Sequence, residues 1–339
     1  MHVALVCSAH GLGHVARQIA LARSLLDAGV RVTMVTAAPR HFVSESLPDA
    51  SVLPWVVDVG IVQRDSITED LDATRARLAV VASEPAVDRL AHALRPFDRI
   101  VVDTAPTALE AGRRAGRPVL AVGNFDWAWI YEAYPELEEW AARFRSWQAP
   151  HIGLSLRPGP GLTGFARRET FGPLGRMAPP HALGPGSVLV SFGGFGLDAL
   201  RELLPEVPGV TWVAAPPTAL PARRDCRIVK DVPYASLVSG AEVVFTKPGY
   251  GILVEAMLAG TRIVWLHRGA FPEAAHLAEV MRTRGDLQVP AAPSAPDQFR
   301  AALGRAVRAR LAAPRPPRLA GSSAEKLARR VLATPPRHP

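Results

Sequence analysis

Two glycine-rich turns carry the residues of this chain best suited to chemistry. The first runs Thr246-Lys247-Pro248-Gly249-Tyr250-Gly251-Ile252-Leu253-Val254-Glu255, from the end of an apolar strand into a helix. Glycines let a ligand approach the backbone, and free amides at a helix start favour anions. Lys247, one of only three lysines in the chain, adds a positive charge. Glu255 follows within the helix, where a carboxylate can accept sugar hydroxyls. Together they read as a pocket for a nucleotide diphosphate, or else as an ordinary strand-to-helix turn.

The second turn, Gly11-Leu12-Gly13-His14-Val15-Ala16, matches a dinucleotide fingerprint with alanine in the third small position. That fingerprint also requires an acid at the end of the next strand. This strand instead ends Val35-Thr36-Ala37-Ala38, which argues against NAD. His14 is left at a helix start by the carboxyl ends of the strands, as a proton acceptor or as a cap. Asp103 ends the strand Ile100 to Val102. It would either orient His14 or cap the helix that follows. Asn124 and Asp126 are weaker candidates of the same kind. In the second half, Ser191-Phe192-Gly193-Gly194 forms another strand-to-helix turn able to reach a phosphate. Val232 and Tyr234 follow a strand and could border a base.

The exclusions are as useful. Asp70-Leu71-Asp72 is an acidic D-x-D pair, but arginines at helical spacing make it a solvated helix face. No His or Cys cluster has metal spacing, so no metal ligand is expected. No P-loop and no Gly-x-Ser-x-Gly elbow occurs. Cys7 and Cys226 lie far apart, which fits unpaired thiols in a reduced, cytoplasmic setting. The opening residues read as a strand rather than a signal leader, and no apolar run is long enough to span a membrane. The net charge of +8 is almost wholly arginine, scattered rather than interleaved with aromatics, so no nucleic-acid partner is expected.

These residues must be positioned by elements, and the pattern supplies them. At 339 residues with 48% hydrophobic content, two soluble domains are the default. Strands are predicted at Val3 to Ser8, Arg31 to Thr36, Ser51 to Val56, Arg99 to Val102 and Pro118 to Val122. Helices fit residues 12–28, 68–81, 85–94 and 105–115. This alternation predicts an α/β parallel sheet. Residues 125–147 are aromatic-rich, either a helical wall for an acceptor or a packed helix. MAPPHALGPG, residues 177–186, reads as a linker. A second series follows, with strands at Ser187 to Ser191, Val210 to Ala214, Arg227 to Lys230, Val243 to Thr246 and Arg262 to Leu266. A last helix falls at about Ser323 to Leu332.

The string Ala9-His10-Gly11-Leu12-Gly13-His14-Val15-Ala16-Arg17, with Lys247-Pro248-Gly249-Tyr250-Gly251 and Glu255-Ala256, resembles the GT-B glycosyltransferases. The branch is that of MurG and monogalactosyldiacylglycerol synthase. The glycosyltransferase-like N-terminal domain of plant L-arabinokinase is more similar still, through Asp58 to Gln63, Asn124 to Trp127 and Phe271 to Glu273. The resemblance implies an acceptor-side Rossmann-like domain over 1–176 and the linker 177–186. It implies a donor-side Rossmann-like domain over 187–322, across a cleft, and a helix and tail over 323–339 that cross back. It implies a metal-independent transferase with His14 and Asp103 as catalytic residues. Gly11, Gly13, Ser191, Gly193, Gly194, Val232, Tyr234, Lys247, Gly249, Tyr250, Gly251, Glu255, Glu273 and His276 would form the donor site. No cofactor is implied beyond a UDP-, GDP- or dTDP-sugar co-substrate. The acceptor would be a small molecule or a lipid, the latter bringing peripheral contact with the inner face of a membrane. The 268–276 loop lacks the paired Gln or Asp-Gln of many members, which leaves the sugar open. The same strings also fit a nucleotide-sugar hydrolase or a non-catalytic sugar-nucleotide-binding module.

Overall fold

The computed structural model of the chain describes residues 1–63, 69–192, 198–266, 271–290 and 295–335. They fall into two compact units, one within residues 1–175 and 322–335, the other within 176–321.

The first unit contains β1 (His2–Cys7), α1 (Leu12–Asp27), β2 (Arg31–Val35), α2 (Arg40–Ser44), β3 (Ser51–Leu53), α3 (Leu71–Val81), α4 (Glu84–Leu94) and β4 (Arg99–Asp103). It continues with α5 (Pro106–Arg114), β5 (Val119–Gly123), α6 (Trp127–Tyr131), a 3-10 turn at Pro135–Leu137, α7 (Glu138–Gln148), β6 (Ile152–Leu156) and β7 (Arg167–Phe171). The seven strands form one sheet in the order β3-β2-β1-β4-β5-β6-β7. Every pair is parallel. Helices cover a parallel sheet on both faces, so its central strands read as unbroken apolar runs. β1, β4 and β5 do so, and Val3, Leu5, Val101 and Val122 are at most 1% exposed. The register pairs Cys7 with Asp103, which sets the polar ends of β1 and β4 side by side.

The aromatic stretch resolves as packed helices. Trp127, Tyr131, Phe144 and Trp147 stack in series at centroid separations of 5.7, 5.7 and 5.5 Å and are buried.

The second unit contains β8 (Ser187–Ser191), α8 (Asp198–Arg201), β9 (Thr211–Ala214), β10 (Cys226–Ile228), α9 (Tyr234–Gly240), β11 (Val243–Thr246) and α10 (Tyr250–Ala259). β12 (Arg262–Leu266), α11 (Pro272–Thr283), β13 (Leu287–Val289) and α12 (Pro296–Ala312) complete it. The sheet order is β10-β9-β8-β11-β12-β13, again all parallel. Trp212 and Phe245 share its core with Phe299 and Leu303 of α12. The chain then returns to the first unit as α13 (Ala324–Leu332), which packs on α1. Arg330 of α13 donates to both oxygens of Glu169 on the edge strand β7, at 2.7–2.9 Å.

Candidate active site

In the first unit the candidate side chains converge at the carboxyl edge of β1, β4 and β5, the edge where open α/β sheets bind ligands. Gly11 holds φ at +77° as the N-cap of α1, a backbone setting that glycine adopts without strain. The helix then presents residues 14, 17 and 18 on one face, by the i, i+3, i+4 rule. His14 Nδ1 lies 3.0 Å from Asp103 Oδ1. Arg17 Nε donates to Asp103 Oδ2 at 2.6 Å, its Nη2 donates to Oδ1, and its Nη1 donates to Asn124 Oδ1 at 2.5 Å. Gln18 Nε2 adds a bond of 2.7 Å to Asp103 Oδ2. Neither His14 nor Asp103 caps a helix: the caps of α1 and α5 are Gly11 and Ala105. Arg17 and Gln18 were missed as site residues. The available signal was polar side chains inside an otherwise apolar helix face, one turn from a histidine.

Asp103 is fully buried, and burial alone would raise its carboxyl group. Arg17, through charge and hydrogen bonds, and then His14 outweigh this and hold it well below the usual carboxylate range. The ionised Asp103 also selects the imidazole tautomer. His14 Nδ1 is 3.0 Å from Arg17 Nη2 as well as from the carboxylate. It cannot accept from the first and donate to the second at once. An Nδ1 lone pair facing a carboxylate oxygen at 3.0 Å would be repelled, so Nδ1–H donates to Asp103. Nε2 then carries the lone pair, on a side chain 11% exposed.

A second carboxylate belongs to the same edge. Asp58 accepts from Ser8 Oγ at 2.9 Å and from Trp127 Nε1 at 3.1 Å. Burial pushes it up to about 6, against the pull of Ser8, His14 and Trp127. His10 lies against Trp127 at a centroid separation of 5.4 Å. Its ring needs Gly60: a Cβ there would fall 2.3 Å from His10 Cγ, at a φ of +65°. Asp126 is structural, since it caps α6 through Trp129 N at 2.9 Å and also accepts from Arg145 and Gly164.

In the second unit, Ser191 ends β8 and accepts from the Tyr234 hydroxyl at 2.5 Å. Burial, and further the Glu255 charge, push that hydroxyl up to about 12. Thr246 of β11 donates to Ser191 O at 2.5 Å. Half-buried Lys247 sits between β11 and α10, and Gly249 is the N-cap of α10 and has no side chain to cap it. Tyr250 and Gly251 form the first turn of that helix, so Glu255 lies in its second turn. Glu255 is 4% exposed, and its Oε1 accepts from Arg176 Nε at 2.7 Å. Burial opposes the Arg176 charge, but Glu255 outweighs it. Arg176, at the last position before the linker, was missed too, and nothing in the local pattern marks it. Val232 is half-buried beside Tyr234. Glu273 is buried in the first turn of α11, and His276 is exposed one turn on. Gly193 and Gly194 lie outside the described residues.

Among the described residues no three His, Cys, Asp or Glu side chains are grouped to hold a metal ion. The D-x-D pair is accounted for otherwise. Asp70 caps α3 through Ala73 N at 3.0 Å, and Asp72 pairs with Arg75 at 2.9 Å. Neither cysteine suits nucleophilic work: burial pushes both thiols up, Cys7 most strongly. No described helix is long and apolar enough to cross a membrane.

No known family profile matches the chain. Arabidopsis thaliana L-arabinokinase is 26% identical over 302 residues, which are 80% of this chain but only 29% of that protein. Solved glycosyltransferases match over nearly the whole chain. The kitacinnamycin enzyme superposes with a TM-score of 0.60 at 18% identity, covering 98% of this chain and 96% of its own. Spinosyn rhamnosyltransferase SpnG, solved with thymidine diphosphate, gives 0.59 at 17% identity, covering 99% and 97%. UGT89C1 of Arabidopsis thaliana, solved with UDP, gives 0.58 at 16% identity, covering 98% and 94%. The chain has the fold of the GT-B glycosyltransferases, two Rossmann-like parallel-sheet units.

Proposed function

We propose that this protein is a metal-independent glycosyltransferase that moves a sugar from a nucleotide-diphosphate sugar to an acceptor hydroxyl. The observation that carries this reading is the His14–Asp103 pair, with the carboxylate locked by Arg17 and Gln18. In the step, His14 Nε2 takes the proton of the acceptor hydroxyl. The acceptor oxygen bonds to the anomeric carbon, and the bond from that carbon to the diphosphate oxygen breaks. The nucleoside diphosphate leaves with the electron pair. Asp103 stays ionised and balances the imidazolium that forms.

The second unit supplies the donor groups. Lys247 and the start of α10 at Gly249 to Gly251 receive the developing diphosphate charge. Ser191 stands at the neighbouring strand end, and Glu255 with Arg176 is assigned to the ribose side. Val232 and Tyr234 border the base, and Glu273 and His276 the donor sugar. The UDP and thymidine diphosphate held by structural neighbours support this donor class.

The test is a thermal-shift screen with UDP-, GDP- and dTDP-sugars, followed by turnover with the best donor. A ligand at a hundredfold its dissociation constant stabilises by about 2.7 kcal/mol, a readable shift. Absence of any shift, or turnover untouched by His14→Ala, refutes the reading. Rapid sugar release without an acceptor marks a hydrolase instead.

A further inference from the structure

The transferase reading leaves one polar group of the site without a task. Asp58 follows β3 at the same sheet edge as Asp103. Its contacts link it to the base through a short run of side chains. Trp127, which donates to it, packs edge-on to Phe125 at 5.3 Å, and Phe125 packs edge-on to His14 at 5.7 Å. An ionised carboxylate has about four acceptor positions. Asp58 fills two of them, one with Ser8 Oγ and one with Trp127 Nε1. The residue is only half-buried, and no other hydrogen bond to its carboxylate is found among the described residues.

We propose that Asp58 is an acceptor-binding residue, which takes hydrogen bonds from hydroxyls of a neutral polyhydroxylated acceptor and holds the reacting hydroxyl by His14. The proposal rests on the transferase reading of this site. The chemistry of the edge selects the acceptor class. Two free lone pairs on Asp58 and the His14 Nε2 lone pair are all acceptors, and they match a compound rich in hydroxyl donors. An acidic acceptor would meet the like charge of Asp58, while the guanidinium of Arg17 is committed to Asp103 and Asn124.

Asp58 also fits poorly as a purely structural group. Burial disfavours its charge, so at neutral pH it works against the fold. An asparagine would keep both framework bonds, its Oδ1 accepting from Trp127 and its Nδ2 donating to Ser8 Oγ.

The experiment compares wild type, Asp58→Asn and His14→Ala, using the nucleotide sugar that gives the largest thermal shift. The acceptor probes are methyl glycosides of glucose, galactose, xylose and arabinose, the methyl glycoside of glucuronate, and ethanol. The methyl glycosides of the neutral sugars should be glycosylated in preference to the other two. In Asp58→Asn, kcat/KM for them should fall about ten- to a hundredfold, the loss that one hydrogen bond to a charged group carries. Most of that fall should appear in the acceptor KM. The donor-induced thermal shift should be unchanged, and the melting temperature at pH 8 equal or higher. A purely structural Asp58 would instead lower the melting temperature and spare KM. Unchanged kcat/KM in Asp58→Asn, while His14→Ala is inactive, overturns the proposal and leaves the transferase standing. Turnover on none of the neutral glycosides, or only on glucuronate or ethanol, overturns it as well. A fully active His14→Ala refutes the transferase reading itself.

Discussion

Replacing Asp103 with asparagine should damage the first unit and its chemistry together. The carboxylate is fully buried, and Arg17, 2% exposed, is its ion-pair partner. Removing one charge of a buried pair costs about 3–5 kcal/mol, because the other is left uncompensated. The asparagine oxygen can still accept from Arg17 or His14, so the lower end, ~3 kcal/mol, is expected. With a urea m-value of about 2 kcal/mol per molar, this moves the midpoint down by roughly 1.5 M. Hydrogen exchange of β1 and β4 along the urea series reads the first unit separately from the second. The pH dependence carries a second signature. A carboxylate held below its usual range stabilises the fold above its unfolded pKa of about 3.9 and loses that contribution as pH falls below it. The asparagine variant has no such contribution to lose, so the two stability curves should converge below about pH 4. Turnover should fall on the order of 10³-fold or more, since the imidazole loses its tautomer and its counter-charge. A midpoint shift under about 0.3 M, with curves that stay parallel into acid, would refute the buried-pair argument.

His14→Ala should lower single-turnover rates on the order of 10²–10⁴-fold and leave nucleoside diphosphate affinity unchanged in calorimetry, because the proposed diphosphate, ribose and base contacts are assigned to the other unit. An unaltered rate removes the base. Glu255→Ala should destabilise the second unit by about 1.5–3 kcal/mol, since it removes the charge-assisted hydrogen bond from Arg176. The double change Arg176→Met with Glu255→Gln should recover most of that stability yet bind nucleoside diphosphate more weakly, and undiminished affinity there would end the ribose assignment. Turnover should persist in EDTA; loss restored by Mg²⁺ or Mn²⁺ contradicts a metal-free mechanism. Asp58, pushed up to about 6, stabilises the fold below its unfolded pKa and ceases to as pH rises through its folded one. Wild type should therefore lose up to about 3 kcal/mol between pH 4 and 7 relative to Asp58→Asn, and parallel melting curves for the two would show that Asp58 is well solvated.

The elements that the sequence determined by itself are those whose cause is local. Val243 to Thr246 and Arg262 to Leu266 are read with their observed ends, because strands buried on both faces must be continuous apolar runs bounded by polar or glycine residues. The turns at Gly11 and Gly249 are read from the same local chemistry, as are the helices that follow them. His14 and Asp103 could be named because each stands at the end of a legible strand or the start of a legible helix. Arg167–Phe171 was not legible, since Arg-Arg-Glu-Thr-Phe has no apolar pattern. It is a strand because β6 offers it an edge and because Arg330, 161 residues away, neutralises Glu169. Leu287–Val289 is three residues long, too short to show a period, and exists through its pairing with β12.

The working state of the site was decided by tertiary structure in the same way. Asp103 is ionised because Arg17, 86 residues earlier, meets it inside the protein, and that ionised group sets which nitrogen of His14 is basic. Glu255 looked like an available ribose acceptor, yet Arg176, 79 residues away, occupies one of its oxygens. Asp58 sits among polar and apolar neighbours alike in the sequence. Only the approach of Ser8, Trp127 and His14 makes it a half-buried carboxylate with two positions to fill. Residue type and local spacing select which groups can do chemistry; charge state, tautomer and free valence depend on distances the chain closes only when it folds.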